Sequence, residues 1–233
     1  MKSKMLLLGS IVLLCLITGT AQQIYAQENQ KDKSIVEGFG IGVGLYNPEM
    51  DYWKNNTNSE FKEADFSTNI IVQGFAEFSL IKNLNAKAGL AYWQTRAETT
   101  IPRQGKTTML LTGTPISLDL IYYIEPARLF LFTPYAGIGG EFLLLQYSLD
   151  FDKKENPDPV NGTSAMLKGQ LGIEARLSDH FSIDLTAEYK SGTYEQSFVR
   201  EVPDPESPSH KAEFTEVISL SGPVFNILFK YHF

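Results

Sequence analysis

The chain has 233 residues, 43% hydrophobic, 12% aromatic and 20% charged, with a single cysteine. That is enough apolar mass for one medium-sized domain with a core, and too little polar bias for a disordered chain. Twenty-seven Asp and Glu against 20 Lys and Arg give a net charge of −7 with no basic cluster, which argues against a nucleic-acid partner.

The N-terminus reads as an address. Lys2 and Lys4 precede a 12-residue apolar run, Leu6 to Ile17, that is too short for a stable anchor. Ala21 and Ala26 are candidate cleavage positions, with Ala26 preferred. Cys15 sits inside the apolar run behind Leu13 and Leu14, which does not suit a lipoprotein. Residues 1–26 are therefore expected to be a signal peptide, 27–35 a short N-terminal segment, and 36–233 the folded domain. The mature chain then carries 18 basic and 27 acidic residues, a charge of −9, and no cysteine. Its stability cannot come from disulfides.

The remainder is patterned at period two. Residues 181–190 place Phe, Ile, Leu, Ala and Tyr on odd positions and Ser, Asp, Thr, Glu and Lys on even ones. Successive strand side chains point to opposite faces, so such a segment has one apolar and one polar face. Eight such segments are predicted, at about 36–47, 68–81, 85–97, 109–124, 130–148, 164–177, 181–197 and 214–233. Three connections are short (82–84, 125–129, 178–180). Four are long and rich in Asn, Asp, Pro and charge (48–67, 98–108, 149–163, 198–213). Strict alternation of short and long predicts an up-and-down antiparallel meander closed as an all-β, eight-stranded transmembrane barrel.

Charge suggests which face meets lipid. Turned inward, the polar face carries Glu77, Asp119, Glu141, Glu174, Asp184 and Glu188 with Lys87, Lys168, Arg176, Lys190 and Lys230, a nearly neutral set suited to mutual pairing. The opposite face of the same strand cores carries no charge. Aromatic residues gather toward the turns (Tyr122, Phe130, Phe132, Phe181, Tyr231, Phe233) and toward the loops (Tyr92, Phe142, Tyr189), as interfacial girdles do. Inward parity also falls on Ile71, Phe75, Trp93, Leu143 and Leu145, all in the loop-side halves of their strands. The expected lumen is an apolar cup above an ion-paired plug, either packed or open to small hydrophobic solutes.

The chain ends Phe229-Lys-Tyr231-His-Phe233, which resembles the C-terminal signature of bacterial outer-membrane β-barrels. With the signal peptide and eight strands, the mature chain resembles small barrels of the OmpA/OmpX/OmpW-like porin family. The segment Thr133-Pro-Tyr-Ala-Gly-Ile-Gly-Gly140 is similar to a strand common in that group. The resemblance implies a Gram-negative outer-membrane location, lipid as partner, and reading of Phe229, Tyr231 and Phe233 by the barrel-assembly machinery. It implies no catalytic residue. Its OmpW-like members imply sideways passage of small hydrophobic molecules into the membrane.

The remaining motifs carry no chemistry. Gly38, Gly40, Gly42 and Gly44 alternate on the first strand, but Val43 stands where a dinucleotide fingerprint needs Gly. Relief of crowding in a narrow barrel is the expected role. Gly105-Lys106 lacks the earlier glycine of a phosphate loop. His180, His210 and His232 are not expected to converge, and Ser178-Asp179-His180 cannot form a triad within one turn. Asp150, Asp152, Glu155 and Asp158 lack calcium-loop spacing. No cofactor, metal or enzymatic activity is therefore expected. The competing functions are structural or small-solute passage, hydrophobic-solute transport, and a surface adhesin or receptor built on the long loops.

Overall fold

The computed structural model describes residues 35–51, 68–101, 105–152, 158–202 and 210–233. The signal peptide and nearly all of the 27–35 segment lie outside these. Nine strands follow in order: β1 (Val36–Tyr46), β2 (Asn69–Ile81), β3 (Leu84–Ile101), β4 (Gly105–Tyr123), β5 (Phe132–Phe151), β6 (Val160–Arg176), β7 (Phe181–Val202), β8 (His210–Ser219) and β9 (Gly222–His232). Each strand from β1 to β7 pairs antiparallel with the next. The ladders β7–β9 and β1–β9 close the ring. The eighth predicted segment is divided at Leu220–Ser221. Its first half, β8, continues the pairing with β7 above the break, so the closed ring has eight members. Closure leaves the spanning sheet no free edge, which hydrocarbon requires.

The tight connections are a two-residue turn at Lys82–Asn83, a segment at 124–131 holding one 3-10 turn (Glu125–Ala127), and a turn at 177–180. Asn83 and Phe130 take positive φ (66° and 58°) to make them. Phe130 is therefore a turn residue and not the start of a strand.

Three of the four long connections are shorter than the sequence suggests. Strands β3, β4, β5, β6, β7 and β8 run on into 98–108, 149–163 and 198–213 from both sides. Those windows look like loops because their outward residues are charged or polar. Alternation nonetheless continues into them from the strand cores, with Thr107 buried on the inner face in line with Thr95, Ala97, Met109 and Leu111.

These extensions give the barrel two storeys of opposite polarity. Near the turns, large apolar side chains point outward: Leu118 is 63% exposed, Ile138 69% and Leu167 73%. A continuous exposed apolar band of this kind needs a nonaqueous neighbour. The inner face at the same height holds the charges. Above Tyr92, Phe142 and Tyr189 the order reverses. Outward positions become Gln94, Arg96, Glu98, Gln146 and Thr193, all exposed, and inward positions become apolar. Arg96 and Lys106 both pair with Glu98 on this outer surface, at 2.6 and 2.7 Å. The lower storey is built for lipid and the upper one for water. No helix among the described residues is long and apolar enough to cross a membrane, and the crossing is made by strands.

Candidate functional site: a charged plug under an apolar chamber

The inner face of the lower storey places ten charged residues in its interior, all at most 6% exposed: six carboxylates and four lysines. They form two linked groups. Toward the turns, Lys230 Nζ pairs with Glu77 at 3.1 Å and also with Glu174. Tyr123 donates to Glu77 at 2.8 Å, and Asn85 donates to the same carboxylate at 2.6 Å. Higher up, Lys168 lies 2.9 Å from Asp119 and 3.4 Å from Glu141, and Lys190 lies 2.7 Å from Glu141. Lys87 stands 4.0 Å from Asp119, donates to Gln170 at 3.2 Å, and rests 5.5 Å from the Phe75 ring. Glu188 accepts from Asn226 at 2.9 Å. Asp184 faces Glu174 across the β6–β7 ladder, and its Oδ1 is buried without a hydrogen-bond partner. Charges removed from water are tolerable only when paired and hydrogen-bonded, which most of this set achieves.

Arg176 departs from the expected set. It has inward parity but stands exposed at the turn end, where its guanidinium donates to the Asp179 carbonyl at 3.4 Å. Its position at the last residue of β6 lets the long side chain reach water. The interior thus holds six acids and four lysines, and not the near-balance that parity suggested.

Above the plug, Ile71, Trp93, Leu143 and Leu145 belong to one buried apolar cluster, each at most 3% exposed. Phe75, also buried, lies outside that cluster beside Lys87. Sequence reading missed most of the members. Met109, Leu111, Tyr194, Ile218 and Leu220 lie within predicted strands, toward their loop-side ends, but are not among the expected cup residues. Their signal was the inward alternation that continues past the charged outer residues. Tyr46 caps the cluster from β1, its hydroxyl donating to the Leu220 carbonyl and its ring meeting Trp93 edge-on at 5.2 Å. Met50 closes the chamber from the chain leaving β1. It is wholly buried at a φ of 52°, and its N–H donates to the Ser219 carbonyl. The cup is filled by its own side chains.

Two of the three histidines come closer than expected. His180 Nδ1 lies 3.4 Å from the His232 carbonyl, and the His180 ring stacks on Tyr231. His232 Nε2 lies 2.9 Å from Ser182 Oγ and 3.7 Å from Glu174. These are the residue types of a hydrolytic triad, but serine and carboxylate approach the same ring nitrogen, so no nucleophile–base–orienter chain exists. Ser182 and His232 are both 2% exposed, which also denies a substrate access.

The C-terminal aromatics face outward at the seam of ring closure. Phe39 lies 5.7 Å from Tyr231 and 5.5 Å from Phe233, and Phe181 meets Tyr231 edge-on at 5.2 Å. Phe229 is half exposed on the same face.

Comparison with known proteins agrees with this architecture. Among solved structures, OprG from Pseudomonas aeruginosa superposes with a TM-score of 0.59 at 16% identity, covering 88% of this chain and 99% of that one. Neisserial surface protein A gives 0.46 at 12% identity, covering 85% and 96%. Escherichia coli outer membrane protein W gives 0.43 at 13%, covering 86% and 100%. The first bears on fold alone, and the other two add nothing to it. No curated protein sequence matches the chain. The model of the outer membrane protein beta-barrel domain matches residues 11–233, nearly the whole chain, and the protein belongs to that outer-membrane family.

Proposed function

We propose that this outer-membrane barrel is non-enzymatic, does not conduct water-soluble solutes along its axis, and takes up small hydrophobic molecules in its upper storey. One observation carries the reading. The interior changes from ion-paired and buried to apolar and buried at the height where the exterior changes from apolar to polar. Eight strands leave room for side chains and no more, whereas aqueous channels need about 16 strands. The plug of Glu77, Lys230, Glu174, Asp119, Lys168, Glu141 and Lys190 occupies that room. Above it, the packed apolar cluster carries few polar groups and suits a small apolar ligand that enters by displacing its side chains, with Ile71, Trp93, Leu143 and Leu145 as its central residues.

The test is reconstitution in a planar bilayer, together with binding of a hydrophobic fluorescent probe. Ionic conductance should stay at the level of the lipid alone, while the probe binds saturably. Trp93→Lys should abolish binding and leave the heat-modifiable gel mobility of the folded barrel intact. Steady conductance, or probe binding indifferent to Trp93→Lys, would overturn the reading.

A further inference from the structure

The outward side chains of the lower storey stand in rows, because register partners on neighbouring strands lie side by side. One row follows the ladders from Leu84 through Tyr122, Ala136, Leu171 and Ala187 to Phe225. Leu84 is the first residue of β3, at the turn end, whereas Phe225 lies near the upper end of β9. Barrel strands are tilted, so a row laid across them climbs the wall obliquely. This one rises from Tyr122 in the lower aromatic girdle toward Tyr189 in the upper one. Five strand spacings give it a length of about 24 Å.

A second row lies just above the first, with Ile138 registered to Gly169 and Gly169 to Tyr189. Between the rows the outer wall is hollowed into an open furrow of about 770 Å³, lined almost wholly by apolar atoms. Small residues make its bed: Ala136, Gly169 and Ala187. A Cβ on Gly169 would meet nothing within 4 Å. Ile138, Leu171 and Phe225, all exposed, form its banks.

The furrow belongs to the band that faces hydrocarbon, and its shape selects among apolar occupants. Inside a membrane, burial from water no longer drives association, and close packing decides what stays. A second barrel presents a convex wall of its own and cannot enter a narrow trough. One extended hydrocarbon chain can, and it gains contacts on its bed and both banks.

The two ends differ in charge. At the upper end the Tyr189 hydroxyl donates to the Glu49 carboxylate at 3.2 Å. At the lower end Lys82 is exposed, two residues before Leu84, while Glu125 and Arg128 of the neighbouring turn are exposed and opposite in sign. A lipid with an anionic phosphate is therefore favoured with its head at the turns and disfavoured with its head beside Glu49.

From this placement we infer that the furrow binds one acyl chain of a glycerophospholipid from the turn-side leaflet. Its phosphate lies near Lys82, and its chain climbs over Gly169 toward Tyr189. The site is on the outer wall and does not depend on the proposed uptake within the barrel.

Native mass spectrometry tests this on the purified protein in detergent micelles supplied with equimolar dioleoylphosphatidylglycerol and lipid A. One phosphatidylglycerol should be retained per barrel, in preference to lipid A. Gly169→Phe and, separately, Ala187→Phe fill the bed and should each lower that adduct about fivefold or more. Gly74→Phe adds the same ring to the outer face of β2, away from the furrow, where a Cβ would meet only the Gly40 carbonyl oxygen at 3.9 Å. It should leave the adduct unchanged. Lys82→Gln should lower it about twofold to threefold. Heat-modifiable gel mobility verifies that each variant is folded, and either filled variant suffices. No retained lipid on the parent protein, or equal retention by Gly169→Phe and Gly74→Phe, would overturn the site. Preference for lipid A, or indifference to Lys82→Gln, would overturn a phospholipid held from the turn side. Dimers abolished by Gly169→Phe would give the furrow to a second copy of the chain and overturn the lipid as occupant.

Discussion

Lys230 Nζ and Glu77 Oε2 lie 3.1 Å apart across the intervening strand β1, although 153 residues separate them in the chain. Lys230 is registered to Gly40 and Glu77 to Gly38, so the ion pair passes over two residues without side chains. This is the physical role of the glycine row. At Gly40 a Cβ would lie 2.4 Å from Phe75 Cζ, and at Gly44 2.0 Å from Asn226 Oδ1. The side chains of β2 and β9 occupy the space that β1 gives up.

Lys230→Met should leave Glu77 and Glu174 buried without their shared cation. Breaking a buried pair costs about 3–5 kcal/mol, because the orphaned charge loses its compensation. Urea unfolding in detergent micelles should show that loss. The triple variant Lys230→Met/Glu77→Gln/Glu174→Gln should recover part of it. Equal stability of Lys230→Met and the parent protein would show that the plug carries no net electrostatic constraint.

Gly40→Val should overpack the ring at its closure, at a cost of about 1–3 kcal/mol and with reduced yield of folded barrel. Gly169→Ala is the matched control, because a Cβ there meets nothing within 4 Å. The two variants should separate on heat-modifiable gel mobility, with Gly169→Ala indistinguishable from the parent.

A charge on the outer wall should report the boundary between storeys. Leu118→Arg places a cation in the apolar band and should cost about 2–4 kcal/mol, whereas Gln94→Arg, above Tyr92, should cost about 0–1 kcal/mol. Equilibrium folding into lipid vesicles measures both. Similar costs at the two sites would mean that the lipid boundary does not follow the aromatic ring.

Deletion of Phe233 should distinguish an assembly signal from a packing residue. Phe233 touches Phe39 and Tyr231 at the outer surface, at ring distances of 5.5 and 5.7 Å. Contacts this peripheral contribute little to the folded barrel. The deletion should therefore sharply lower the amount of folded protein in cells and leave refolding in detergent nearly unchanged. Equal losses in both settings would assign Phe229, Tyr231 and Phe233 to packing alone.

Alternation at period two was enough, from the amino-acid order alone, to give the strand cores, the meander and the inward charges, because a strand side chain's face depends only on its parity along the chain. It also identified Ile71, Trp93, Leu143 and Leu145 as inward apolar residues. Parity says nothing about height or end effects. Arg176 shares the parity of Glu174 yet reaches water, because it closes its strand. The windows around Glu98 and Asp150 resemble loops because their outer residues face water above the membrane, although the backbone there is still paired. Which side chains fill the chamber and how His232 meets Ser182 followed from closing the ring. Closure brings residues more than a hundred positions apart into contact, and no local pattern records that distance.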